Sequence, residues 1–174
     1  MTNTLLHIDS SALGGFSTSR KLTASIVSAW QQDKPDLRII YRDLAAAPPP
    51  HLTGRVAMAM RSRDLSGLGA EEHAQVALSD ELVEEFLAAD AVVVGAPMHN
   101  FSLPTPLKAW IDRIGQAGRT FKYAESGVVG LAGGKRVVIA SSRGGMYAGT
   151  PLEAALDHQE AYLRGVLGLW VSLT

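Results

Sequence analysis

The stretch Ala91-Val-Val-Val-Gly-Ala96 contains only small and β-branched residues and carries no charge. Because polar and apolar side chains do not alternate in it, the stretch is typical of a central parallel strand that is buried on both faces. Three more short, mainly apolar stretches predict strands at Thr4–Ile8, Leu37–Tyr41 and Arg136–Ala140. Helical patterns lie between them, and this alternation predicts a doubly wound parallel sheet in a three-layer α/β/α domain.

Apolar residues at helical spacing predict the helices that connect these strands. The first helix follows a loop that ends at Ser19, with Ser17 or Thr18 as its N-cap. Further helices are predicted at Gly54–Ser62, Glu71–Ala88, Pro104–Ile114 and Thr150–Leu169. The chain also contains an Ala/Pro stretch, Ala45–Pro50, and a small hairpin or loop, Phe121–Leu131. No repeat or linker interrupts this pattern, so residues 1–174 are predicted to form a single domain.

The charge balance and the absence of cysteine argue against several classes of partner and site. The 174 residues include 16 Lys and Arg and 17 Asp and Glu, a formal net charge of −1, which gives no electrostatic case for nucleic acid or an acidic membrane. Without cysteine there can be no disulfide, thiolate metal site or cysteine nucleophile, and no other residues show metal-ligand spacing. The N-terminus lacks the features of a signal peptide and the longest apolar run is too short to span a bilayer, so we expect a cytoplasmic protein.

The loop after the first predicted strand is rich in hydroxyl groups. In open α/β sheets, ligands bind beyond the carboxyl ends of the strands, so the loops there are the candidate site. Residues 10–19, Ser-Ser-Ala-Leu-Gly-Gly-Phe-Ser-Thr-Ser, end where a helix begins, and helix N-termini attract anions. No Lys or Arg lies within the loop, which favours a monophosphate over a triphosphate with its metal. The alternative is that Ser and Gly form only a turn and a helix cap.

The loop after the Ala91–Ala96 strand places four unusual side chains together: Met98, His99, Asn100 and Phe101. An aromatic ring supplies a stacking surface, and an amide supplies both a donor and an acceptor, which suits a planar heterocycle. The alternative is that Met98 and Phe101 only fill the core.

The loop after the Arg136–Ala140 strand contains Ser142, Arg143, Gly144 and Gly145, and two glycines let the backbone approach a flat ligand closely. The alternative is an ordinary turn, with Arg143 in a surface ion pair. Together the three loops would line one crevice with a phosphate at one end and a planar ring at the other, which is the shape of FMN.

Several motifs in this order resemble the FMN-dependent NAD(P)H azoreductase and quinone reductase family, a branch of the flavodoxin-like fold. They are Ser-Ser-x-x-x-Gly-x-Ser-x-Ser at 10–19, Ala-Pro-Met-x-Asn-Phe at 96–101, Leu-Lys-x-x-x-Asp at 107–112, Thr-Phe-Lys-Tyr at 120–123 with Gly127, and Ser-Arg-Gly-Gly at 142–145. The resemblance covers nearly the whole chain and is specific in combination.

The resemblance implies a role for each matching residue. The phosphate would be held by Ser11, Ser17, Thr18 and Ser19. The isoalloxazine and ribityl groups would be contacted by Met98, His99, Asn100 and Phe101, and the ring would be covered by Ser142, Arg143, Gly144 and Gly145. The resemblance also implies a homodimer with active sites at the subunit interface.

The chain departs from the family pattern at two places. The family usually has Tyr at the position of His99, and family members continue into a fifth strand and a further helix where this chain ends at Thr174. Without that strand, the Arg136–Ala140 strand would be an apolar sheet edge with unpaired backbone groups. We therefore expect either that the natural chain is longer or that a dimer covers this edge.

The predicted function is FMN-dependent reduction of a quinone or azo compound by NADH or NADPH. The nicotinamide would deliver a hydride to the flavin and leave before the acceptor enters, which is a two-electron ping-pong mechanism. Close to the ring, His99 and Phe101 are the candidates for a catalytic role, although solvent could supply the proton instead of His99. Two alternatives stay open: an electron carrier of the flavodoxin type, and a hydrolase resembling acyl-carrier-protein phosphodiesterase.

Overall fold

Four parallel strands form the central sheet of the protein, which a computed structural model describes for residues 4–171. The elements in chain order are β1 (Thr4–Asp9), α1 (Thr18–Asp33), β2 (Arg38–Asp43), α2 (Gly54–Ser62), α3 (Ala70–Ala88), β3 (Ala91–Pro97), α4 (Thr105–Ile114), β4 (Phe121–Ala124), β5 (Gly127–Gly130), β6 (Arg136–Ser142), α5 (Glu153–Leu156) and α6 (Gln159–Val171). The strands of the sheet lie in the order β2-β1-β3-β6, and β4 and β5 form a separate antiparallel hairpin. The predicted doubly wound parallel sheet is confirmed.

Alternate residues of the central strands point into two different cores, one on each face of the sheet. On one face, Leu5 of β1 and Val93 of β3 pack with Val27 of α1. On the other face, Leu6 and Val92 belong to a larger core with the side chains of α3, α4 and α6. Every residue of β3 is buried, as a central strand with helices on both faces requires. The two cores account for the predicted three-layer α/β/α arrangement.

The prediction of one continuous helix at Thr150–Leu169 is wrong, because the structure divides this segment into α5 and α6. The backbone of Asp157 leaves the helical region, with φ of −98° and ψ of 69°. Its carboxylate accepts hydrogen bonds of 2.8 and 3.0 Å from Arg143, a residue of the loop after β6. This ion pair with a distant residue provides the physical reason for a break that the local apolar spacing does not reveal.

Among the residues that the structure describes, β6 is an edge strand of the sheet. There, β6 pairs with β3 alone, and Val137, Val138 and Ile139 are half-buried. The prediction that this strand forms a sheet edge is therefore confirmed for residues 4–171. Within the same range, no helix has both the length and the apolar character needed to cross a membrane.

A buried arginine links the Ala/Pro stretch to α3 and α4 by hydrogen bonds. Arg113 of α4 is fully buried, and its Nε and Nη2 donate to the carbonyl oxygen of Pro50 at 3.0 and 2.7 Å. Its Nη1 donates to Ser79 Oγ and to the carbonyl oxygen of Gln75 in α3, at 2.7 and 2.9 Å. Burial lowers the pKa of this guanidinium. All of its donors reach neutral acceptors, so the arginine holds the Ala/Pro stretch in place by hydrogen bonds.

The first prediction concerns Gly95, which lies where β1, β3 and α1 approach each other closely. A Cβ at this position would lie 2.8 Å from Asp9 Oδ1 and 3.1 Å from Thr23 Cγ2. We expect Gly95→Ala to lower the free energy of unfolding by about 1–3 kcal/mol, the usual cost of overpacking. Urea denaturation measures the difference.

Gly165 is the matched control, because a Cβ there meets no atom within 4 Å and the residue lies inside α6. Gly165→Ala should raise the free energy of unfolding by about 0.5–1 kcal/mol, since alanine loses less backbone entropy in a helix. A Gly95→Ala protein as stable as the wild type would show that the sheet end tolerates a wider spacing than the structure has.

Candidate active site

The three predicted loops lie at one edge of the sheet because the strands that precede them end in register. Asp9 of β1 is paired with Gly95 of β3, and Pro97 of β3 is paired with Ser142 of β6. Two hydrogen bonds join a loop to the end of the neighbouring strand. The hydroxyl of Ser10 donates to the carbonyl oxygen of Gly95 at 2.6 Å, and the backbone N–H of Met98 donates to the carbonyl oxygen of Ser142 at 2.7 Å. The structure therefore brings the three loops together.

The first loop presents buried hydroxyl groups at the start of α1. Ser17 is the N-cap, and its Oγ accepts a hydrogen bond of 3.3 Å from the backbone N–H of Arg20. The hydroxyl oxygens of Ser17 and Ser19 are 3.0 Å apart, and both side chains are buried. Ser11 is also buried, whereas Thr18 is exposed. Rotatable hydroxyls beside the unpaired N–H groups of a helix start are a suitable donor set for a phosphate.

The buried carboxylate of Asp9, the last residue of β1, lies directly before this loop. Asp9 Oδ1 accepts a hydrogen bond of 2.8 Å from Thr23 of α1, and Oδ2 accepts one of 3.0 Å from the hydroxyl of Tyr41 in β2. Nε2 of His7 lies 3.5 Å from the same Oδ2. Burial by itself would raise the pKa of Asp9, but the interactions with His7, Thr23 and Tyr41 outweigh it, and the pKa is lowered. Asp9 is therefore a carboxylate at neutral pH.

Arg20 is part of the same network, although no sequence motif pointed to it. Its guanidinium donates to the carbonyl oxygen of Ser11 and pairs with Asp43 at the end of β2. Arg20 directly follows the hydroxyl-rich loop, which is a weak signal. Its partner lies 23 residues further along the chain, and no local pattern joins the two.

The second loop is a tight turn in a strained conformation. His99 and Ser102 exchange two backbone hydrogen bonds, each of 2.9 Å. The two residues between them, Asn100 and Phe101, both have positive φ angles, of 47° and 67°. This is the geometry of a type I′ turn, which Asn adopts readily and a bulky residue such as Phe adopts rarely. Strain of this kind persists where the surrounding structure fixes it, commonly at functional sites.

The ring of Phe101 lies outside the core, with 44% of the residue exposed. The alternative in which Phe101 only fills the core is therefore wrong. The ring instead meets Tyr147 of the third loop edge to face, with the ring centroids 6.0 Å apart. Met98 and His99 are half-buried and Asn100 is exposed. The second loop thus presents an aromatic surface beside the third loop.

The third loop is anchored by Arg143. Its Nε and Nη2 donate to Asp157, and its Nη1 donates to Ser141 Oγ at 3.1 Å. The hydrogen bond with Asp157 raises the pKa of this guanidinium. The ion pair that the sequence analysis kept as an alternative is thus present in the structure. Gly144 and Gly145 follow and are exposed.

Two further side chains lie in this region, and no sequence motif pointed to either of them. They are Tyr147, which contacts Phe101, and Gln159. Gln159 is buried at the start of α6, and its Nε2 donates to the carbonyl oxygen of Ala96 at 2.8 Å. A cavity of about 550 Å³ opens beside the third loop, and its lining comes from that loop and from the α5–α6 region, not from the first or second loop. Its lining includes Gly145, Tyr147 and Asp157.

The second prediction follows from the lowered pKa of Asp9. Because the folded state favours the carboxylate, the stabilising contribution of Asp9 is complete above its unfolded pKa, near 3.9, and is lost as the pH falls through the lower folded pKa. We expect Asp9→Asn to reduce the free energy of unfolding by roughly 1–3 kcal/mol at neutral pH, since the carboxylate accepts two hydrogen bonds.

The difference between Asp9→Asn and the wild type should shrink as the pH falls below the unfolded pKa of the carboxyl and through its lower folded pKa. Urea titrations of both proteins at several pH values measure this difference. A difference that does not vary with pH would mean that the ionisation of Asp9 plays no part in stability.

Comparison with known proteins places this geometry in a family. Residues 3–170 match the family described as having a flavodoxin-like fold. The FMN-dependent NADH:quinone oxidoreductase of Azospirillum brasilense is 61% identical over 164 residues, which are 94% of this chain and 79% of the relative. A protein of the same name from Sinorhizobium medicae (strain WSM419) is 55% identical over 166 residues, 95% of this chain and 79% of the relative.

A solved structure shows the same arrangement of elements. The azoreductase from Bacillus anthracis str. Sterne matches with a TM-score of 0.86 at 28% sequence identity, over 98% of this chain and 82% of that one. Since the family match spans almost the whole chain and the two relatives share more than half of its residues, the chain belongs to the flavodoxin-like family, as the sequence motifs predicted.

Proposed function

We propose that this chain is an FMN-dependent NADH:quinone oxidoreductase that also reduces azo compounds. The main observation behind the proposal is that two loops of different chemistry lie together at one edge of the sheet. One loop offers the buried hydroxyls of Ser17 and Ser19 at a helix start, and the other offers the exposed ring of Phe101 on a strained turn. The names of the two relatives support the same cofactor, donor and acceptor.

The residues of the first loop suit the phosphate of FMN. No carboxylate lies within residues 10–19, and the hydroxyls can turn to donate to a dianion. The proposed phosphate ligands are Ser11, Ser17, Thr18 and Ser19, which stay sequence predictions. When bound, FMN would supply the redox chemistry by accepting a hydride from NADH and passing two electrons to the acceptor.

The second and third loops would hold the flavin ring and the ribityl chain. Met98, His99, Asn100 and Phe101 would contact them from one side, and Ser142, Gly144 and Gly145 would close over the ring. Arg143 would act by holding the third loop, because Asp157 and Ser141 engage its guanidinium. His99 is our candidate to supply a proton to the reduced acceptor, with solvent as the alternative source. The use of NADPH, a homodimer and a cytoplasmic location also stay predictions.

The third prediction tests where the phosphate binds. Changing Ser17 and Ser19 together to Ala removes two hydroxyl donors, each worth about 1 kcal/mol or more when the partner is charged, and should weaken FMN binding by a few kcal/mol. Equilibrium titration followed by flavin fluorescence measures the affinity. The double variant Ser25→Ala and Ser28→Ala is the control, because it makes the same change on the exposed part of α1. Equal FMN affinity in both double variants would place the phosphate elsewhere.

The fourth prediction concerns the order of the two substrates. We expect the aromatic surface around Phe101 and Tyr147 to hold one ring at a time against the flavin, so NADH and quinone should bind in turn. Initial rates over a grid of both concentrations should therefore give parallel double-reciprocal lines. Intersecting lines would require a complex that holds both substrates, and would contradict this expectation. An azo dye in place of the quinone should give the same pattern.

A further inference from the structure

Arg20 makes a complete set of hydrogen bonds next to the first loop. Its Nε and Nη2 donate to the carbonyl oxygen of Ser11 at 3.1 and 2.8 Å. Its Nη1 and Nη2 donate to the two carboxylate oxygens of Asp43 at 2.8 and 2.6 Å, and Nη1 also donates to the hydroxyl of Tyr41 at 3.1 Å. These contacts use the five N–H donors that a guanidinium possesses.

The positive charge of Arg20 is balanced within the protein. The bidentate pair with Asp43 raises the pKa of the guanidinium, and Asp9 Oδ2 lies 3.6 Å from its Nη1. With its donors engaged and its charge paired, Arg20 has no N–H left for a ligand oxygen. The first loop carries its hydroxyls at the start of α1, so we expect Arg20 to affect a phosphate there mainly through the conformation of the loop.

The contact with Ser11 fixes the direction of one peptide group. A trans peptide is planar, and its C=O and N–H point in opposite directions. When Arg20 holds the carbonyl oxygen of Ser11, the N–H of Ala12 is turned away from the guanidinium. The hydroxyl of Ser11 is held as well, because it accepts a hydrogen bond of 3.3 Å from the backbone N–H of Leu13. Arg20 therefore restrains the path of the loop as it leaves β1.

Asp43 is itself held rigidly at the end of β2. Its Oδ1 accepts hydrogen bonds from the backbone N–H groups of Ala45 and Ala46 at 3.0 and 3.1 Å. The pair with Arg20 is the leading cause of the lowered pKa of Asp43, so the carboxylate stays charged near neutral pH. Two carboxylate oxygens in a fixed position match the planar fork of arginine, and a lysine ammonium cannot reproduce this geometry.

We infer that Arg20 is a positioning residue for the phosphate of FMN, which acts by holding the Ser11 carbonyl so that the first loop keeps its binding conformation before the cofactor arrives. The inference rests on the proposed function, in which this loop binds the phosphate. Preorganisation of this kind strengthens binding because the loop loses less freedom when the ligand enters. The effect must therefore be specific to ligands that carry a phosphate.

The experiment compares FMN with riboflavin, which has the same ring and ribityl chain but no phosphate. Apoprotein is titrated with each flavin, and the ratio of the two dissociation constants is determined for the wild type and for Arg20→Lys. We expect Arg20→Lys to weaken FMN binding about tenfold or more while riboflavin binding changes by less than about twofold. Asp43→Asn should shift the ratio in the same direction, because it weakens the pair that orients Arg20.

Arg42→Lys is the matched control. Arg42 lies on β2 beside Asp43 and makes a bidentate pair at 2.7 and 2.7 Å with Glu85 of α3, which packs on the other face of the sheet from α1. Its replacement should cost stability through the same kind of lost contact and leave the flavin ratio unchanged. Thermal unfolding of each apoprotein shows how much stability every variant loses.

Three results would overturn the inference. If Arg20→Lys weakens FMN and riboflavin equally, in step with its loss of thermal stability, the role of Arg20 is only structural. If FMN affinity does not change, the loop does not need Arg20. If the wild type already binds both flavins equally, the phosphate lies outside the first loop, and that result identifies the proposed phosphate site as the part that failed.

Discussion

The buried carboxylate of Asp9 is the constraint on which the carboxyl edge of the sheet depends. A charge removed from water is costly unless nearby donors replace its hydration, and Asp9 finds these donors on separate elements. Thr23 belongs to α1 and Tyr41 to β2, while Gly95 of β3 leaves room for the carboxylate. Three elements must therefore converge at the end of β1, and their convergence sets the position of the loops that form the candidate site.

Local sequence patterns were sufficient for the elements whose burial follows from their own composition. The Ala91–Ala96 stretch is uniformly apolar and becomes the fully buried β3. The final helix was predicted as continuous because its apolar stripe continues across the break. In the structure, only the later part of that stripe, with Leu163 and Leu167, reaches the core, whereas Leu152 is half exposed. The break depends on the pair between Arg143 and Asp157, which a local pattern cannot reveal.

In the candidate site, too, some contacts follow from neighbouring residues in the sequence and others only from the fold. The hydroxyls of Ser17 and Ser19 lie close together because both residues belong to one helix start, and the sequence alone predicts this. The pairing of Arg20 with Asp43 needs the adjacency of β1 and β2, so no spacing rule could supply it. The sequence also gives no sign of the positive φ of Phe101, because bulky residues rarely adopt the left-handed region of backbone conformation.

Arg113 has a consequence for how the Ala/Pro stretch unfolds. Loops without regular structure are usually where a chain opens first. Here the carbonyl of Pro50 accepts two hydrogen bonds from a guanidinium that is completely buried between α3 and α4. Release of the stretch would leave two N–H groups of a buried cation without their Pro50 acceptor, which costs more than opening an ordinary loop. Backbone amides near Pro50 should therefore exchange their hydrogens through openings that also involve α3 and α4, as part of the same cooperative unit.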